Sequence, residues 1–113
     1  MVEEAAKALA TALKNSPEFK QYTELKEIAF RKDSTRSLYA EYKRLMVQAQ
    51  ASKVSGKKNE EVLSRLNTLA EVLQFDSEAA AFLLAEFRLN AMLGRIYKLL
   101  AEAVGADLSV LEE

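Results

Sequence analysis

Cysteine and histidine are absent from this chain, and only one proline and three glycines occur among its 113 residues. Without cysteine there is no disulfide, no thiolate nucleophile and no cysteine-held zinc or iron–sulfur cluster within the chain. Without histidine there is no Ser-His-Asp or Cys-His constellation, and no imidazole to bind a metal or act as a base near neutral pH. Charge of one sign is missing too. The formal net charge is −1, so no global field draws the chain to nucleic acid or an anionic membrane. No apolar run reaches the roughly 20 residues that span a bilayer. The start, "MVEEAAKALA", carries acids where a secretory signal carries bases. A cytoplasmic protein without membrane insertion is the expectation.

What is present favours helix. Half of the residues are hydrophobic and 29% are charged, a mixture that suits one folded domain over residues 1–113. The scarcity of proline and glycine, with abundant Ala, Leu, Glu and Lys, predicts an all-α chain. Punctuation marks five helices. The first runs from Val2 to Lys14, with Val2, Ala6, Leu9 and Leu13 at helical spacing. In "NSPEF", Ser16 is an N-cap and Pro17 suits the first helical position. The second helix then carries Phe19, Tyr22, Leu25, Ile28 and Ala29 on one side. Asp33 or Ser34 is expected to cap the third, whose stripe is Leu38, Tyr42, Leu45 and Ala49. Gly56 stops it and Asn59 caps the fourth, which places Val62, Leu63, Leu66, Leu69, Ala70 and Leu73 inward. Asp76 or Ser77 caps the fifth, which reaches about Val104 before Gly105. The end, "ADLSVLEE", reads as a short extra turn or a loose tail.

Short connections make successive helices antiparallel neighbours. The third and fifth helices, at about 20 and 28 residues, would extend about 30 and 42 Å. Those lengths predict an elongated helical hairpin, with the shorter helices packed along it.

The fifth helix separates into two apolar surfaces at about 100° per residue. One comprises Phe82, Ala85, Leu89, Met92, Leu93, Ile96, Leu100 and Ala103, and should face the rest of the chain along the helix's full length. The other comprises Leu83, Leu84, Phe87 and Ala91, and gives way to Arg95, Lys98 and Glu102. A chain of five helices has few elements left to cover a second side. A two-fold homodimer through Leu83, Leu84, Phe87, Arg88 and Ala91 is the economical expectation, against the alternative that the first or second helix wraps over that face. Glu86 and Asn90 sit at the border as structural polar contacts, with Arg36 and Lys43, together with Tyr39 and Tyr42, the expected partners if the long helices pair.

A carboxylate-bridged metal site at Glu86 would need further inward acids and histidines, which are lacking. The expectation is no metal, no cofactor and no catalytic residue. Arg31, Lys32, Arg36, Lys43 and Arg44 form the one candidate nucleic-acid surface, the alternative to protein binding. Acids and amides interrupt it, Tyr39 and Tyr42 read as core or interface residues of the third-helix stripe and not as stacking platforms, and nucleic acid is not the expected partner.

Three segments together carry a family resemblance: "ALKNSPEF", "DSTRSLYAEYKRLMVQAQ" and "AFLLAEFRLNAMLGRIYKLL". Ser16, Glu18 and Phe19 open the second helix; Asp33, Gln48 and Gly56 mark the third; Ala85, Glu86, Leu89 and Leu93 lie in the last. The pattern resembles the YlbF/YmcA family of small helical bacterial proteins, near its YheA branch. The resemblance implies a non-enzymatic regulatory adaptor with a regulatory protein partner, linked to competence, sporulation and biofilm development. It also implies dimerising helical hairpins and a connection to messenger-RNA processing in some members. Other members bind iron–sulfur clusters through cysteines, which this chain lacks.

Overall fold

The computed structural model describes residues 1–56 and 59–105. Among them the chain is all-α, with five helices: α1 Val2–Lys14, α2 Pro17–Ala29, α3 Asp33–Val54, α4 Glu60–Phe75 and α5 Ser77–Ala103. The tail "ADLSVLEE" lies outside the described residues.

Local chemistry sets the boundaries. Ser16 Oγ accepts from the amide of Phe19 at 3.2 Å, satisfying one of the orphan donors at the start of α2. Asn59 Oδ1 does the same for Val62 at 3.2 Å. Asp76 Oδ1 accepts from Glu78 and Ala79 at 3.0 and 3.3 Å, and caps α5. Gly56 has φ +80° just after α3, a left-handed conformation that a Cβ would strain. Lys32, in extended conformation, is the N-cap of α3 and makes no side-chain cap bond. The expected caps are displaced because Asp33, as the first helical residue, turns its carboxylate to the Arg36 guanidinium.

The chain divides into two compact units: Glu24–Leu83, and Met1–Thr23 with the chain from Leu84 onward. In the first of these, α3 packs on α4. Leu45, Val62 and Leu69 form its buried cluster, and Leu38, Tyr42, Ala49 and Leu66 pack against them. Each such leucine stabilises the pairing by about 1.5–3 kcal/mol on full burial. Arg65 grips both oxygens of Glu41 across the two helices, at 3.1 and 3.3 Å. At the other end of this unit, Phe30, Tyr39 and Phe82 make a three-ring cluster with centroids 5.0–5.4 Å apart. Phe82 is only 1% exposed there.

The second unit is built differently. Helix α1 buries no residue at all, and only Leu9 and Leu13 reach half-burial. Phe19 and Tyr22 stack along α2, with centroids 6.4 Å apart. From α5, Ala85, Leu89 and Ala101 are buried. The inward stripe expected along the whole of α5 therefore holds at its start and fails at its end. Leu93 and Leu100 are exposed and Ala101 is buried instead.

Candidate interaction surface

Helix α5 carries the surface singled out from the sequence. Phe82 and Phe87 lie five residues apart, so about 140° separates their directions on the helix. The first is buried, whereas Phe87 is 69% exposed and Leu84 50% exposed. Leu83 and Ala91 are half-buried, and Arg88 is exposed beside them. Among the described residues nothing buries Phe87. Gly94 continues it, two turns after Phe87. A Cβ built there meets nothing within 4 Å.

The polar residues at its border divide. Glu86 is half-buried and engaged in an interaction, whereas Asn90 is exposed. Arg36 donates to the Phe30 carbonyl at 3.2 Å and to the Asp33 carboxylate. Its recorded contacts thus tie the α2–α3 turn to the start of α3. Lys43 Nζ lies over the Tyr39 ring, 5.5 Å from its centroid.

Of the basic candidates, Lys32 and Arg36 face carboxylates. Lys32 Nζ is 2.7 Å from Asp76 and 3.7 Å from Glu78. Its hydrogen bond to Asp76 holds the ammonium above the usual lysine range. The same bond, helped by the two cap amides, holds the Asp76 carboxyl below the usual carboxylate range. Arg65 lowers Glu41 likewise, with Arg44 a lesser contributor. Thus Lys32 and Arg36 are both committed to carboxylates.

Among the described residues no three acids, histidines or cysteines converge as metal ligands, and no helix is long and apolar enough to cross a membrane. A cleft at the α3–α4 tip is lined by Ala49, Gln50, Ser52, Lys53 and Leu63 among others. Its described lining residues bring together no acid–base pair.

An exposed apolar face on a helix and a punctuated order of five helices among the described residues are what the comparisons with known proteins meet. Residues 2–105 match the family described as control of competence regulator ComK, YlbF/YmcA. The chain belongs to the YlbF/YmcA family. A UPF0342 protein of Symbiobacterium thermophilum is 34% identical to this YlbF/YmcA chain over 104 residues, covering 91% of it and 93% of the relative. One from Halothermothrix orenii is 26% identical, covering 84% and 81%. The fold is similar to a DUF964 protein of unknown function from Bacillus stearothermophilus, with TM-score 0.74, 12% identity and 92% of each chain covered. It is also similar to Bacillus subtilis RicA, solved in complex with RicF, with TM-score 0.60, 17% identity and 92% and 93% covered.

Two features were missed in the sequence. Phe75 at the end of α4 is 91% exposed; its place at a helix terminus was the available signal. Gly94 was passed over because a glycine inside a helix announces itself only through its low propensity.

Proposed function

We propose that this chain is a non-enzymatic regulatory adaptor that self-associates and acts by protein–protein interaction. The observation that carries the reading is the α5 face, with Phe87 69% exposed and Leu84 beside it. Contiguous exposed hydrocarbon of this kind marks an interaction site. A homodimer in which Leu83, Leu84, Phe87 and Ala91 are covered, with Arg88 at the rim, removes it from water. Glu86 and Asn90 then lie at the boundary as polar contacts. Membership of the YlbF/YmcA family and the RicA relative's complex with RicF support interaction as the mode of action. The resemblance extends the proposal to cytoplasmic control of competence, sporulation or biofilm development, and to messenger-RNA processing through a protein partner. The nucleic-acid alternative has less support, because Lys32 and Arg36 already face carboxylates.

Sedimentation at micromolar concentration tests the self-association. The wild-type chain is expected to sediment as a dimer. Leu84→Glu and Phe87→Glu should each give a monomer of unchanged far-ultraviolet circular dichroism. A wild-type chain that stays monomeric would overturn the reading, and so would loss of helicity in both variants, which would place those residues in a monomer core.

A further inference from the structure

Phe75 closes α4 with 91% of its surface exposed, and one side of that helix leads up to it. At about 100° per residue, Ser64, Thr68, Glu71 and Phe75 share that side, turned away from the Val62, Leu69 and Leu73 that the helix buries. All four are exposed, and Val72 beside them is 45% exposed. The helix is short of positive charge. It holds Glu60, Glu61 and Glu71 against a single cation, Arg65. That guanidinium reaches across to α3 and forks onto Glu41 at 3.1 and 3.3 Å. Among the described residues Glu71 forms no ion pair, and the last turn of α4 holds no base to offset the negative end of the helix. Neither the ring of Phe75 nor the carboxylate of Glu71 serves the core of this unit.

We propose that the C-terminal end of α4 docks a basic segment of a partner protein, whose lysine or arginine lies over the Phe75 ring and reaches Glu71. The two residues are four apart, hence neighbours on the helix surface. A cation held there meets a ring face and a carboxylate together, and each attracts it. An open hollow of about 530 Å³, lined by Asn67, Ala70, Glu71, Gln74 and Phe75, takes the hydrocarbon stem of such a side chain. Charge decides the class of occupant. An acid beside the ring repels phosphate, which disfavours nucleic acid and an anionic membrane surface. Two copies of this face laid on each other would bring Glu71 towards Glu71, and like charges so placed oppose association. The proposal goes beyond self-association through α5, because it gives the adaptor a surface for a different chain, and neither surface needs the other.

The probes are a fluorescein-labelled helical peptide of leucine, lysine and alanine, and an unlabelled counterpart with glutamate for lysine. By fluorescence anisotropy at low salt, the lysine peptide should bind the wild-type chain and the glutamate peptide should not compete with it. Glu71→Lys and Phe75→Ser should each weaken binding about tenfold, and added salt should weaken the wild type towards Glu71→Lys. Glu24→Lys, on α2, changes net charge equally and should stay within about twofold of wild type. Helicity should be retained in all three, since each replaced side chain is exposed. Equal losses in Glu24→Lys and Glu71→Lys would reduce the binding to net charge and overturn the proposal. So would a lysine peptide that binds every chain alike, or none. A Phe75→Ser chain that sediments as a monomer where wild type is a dimer would give this face to a second copy, and overturn it too. A monomeric wild type that still binds the lysine peptide through Glu71 and Phe75 would overturn the α5 dimer alone.

Discussion

At the scale of single residues, Asp76 does two jobs with one carboxylate. One oxygen accepts from the first amides of α5, and the other accepts from Lys32 at 2.7 Å. Both interactions favour the ionised form, so the folded state holds Asp76 below its ordinary carboxyl range. The sign of the pH dependence follows. Where a carboxyl's folded value lies below its unfolded value of about 3.9, its contribution is complete above that unfolded value. It fades as pH falls through that value and on through the folded one. Asp76→Asn keeps an oxygen for the cap and loses the charge, whereas Asp76→Ala loses both. At pH 7 the alanine variant should melt several degrees below wild type and the asparagine variant should fall between them. Below pH 4 the wild-type and asparagine curves should converge. Thermal melts followed by circular dichroism at pH 7, 5 and 3 check this; a constant gap between those two at every pH would show that the charge contributes nothing.

At the scale of the element, α5 places two phenylalanines in opposite circumstances. Phe82 is 1% exposed against the rings of Phe30 and Tyr39, so Phe82→Ala removes buried area and leaves a cavity. The expected loss is about 3–5 kcal/mol in denaturant unfolding. Phe87→Ala, measured at a concentration low enough to keep the chain monomeric, should change stability by no more than about 0.5 kcal/mol, as an exposed substitution does. Equal losses at both positions would show that Phe87 belongs to a core. This contrast was legible in the sequence, because the 100° step separates residues 82 and 87 whatever they pack against. The helix boundaries were legible for a similar reason: Ser16, Asn59, Asp76 and Gly56 act through local hydrogen bonds or a local φ. Tertiary choices were not legible. Asp33 turns to Arg36 and leaves the cap position to Lys32. Near the end of α5 burial falls on Ala101 and passes over Leu100, because periodicity ranks side chains by hydrophobicity while packing selects by available space.

At the scale of the whole molecule, chemistry and assembly exchange places. The chain has neither cysteine nor histidine, and the exposed hydrocarbon of α5 is where the proposed interface lies. An interface that forms only in the folded state adds its binding free energy to folding, and the gain grows with protein concentration. Each tenfold increase above the dissociation constant is worth up to about 1.4 kcal/mol per association event. The thermal midpoint of the wild-type chain should therefore climb as concentration is raised from nanomolar to tens of micromolar. Phe87→Glu and Leu84→Glu, which both charge the exposed α5 face, should each flatten that dependence. They should also leave the low-concentration midpoint close to wild type, since Leu84 and Phe87 are exposed in the single chain. Combining the two substitutions then costs nothing further, because an interface already lost cannot be lost twice. Separate, additive losses would instead show that the two side chains do not share one interface, and differential scanning fluorimetry over that concentration range distinguishes the two results.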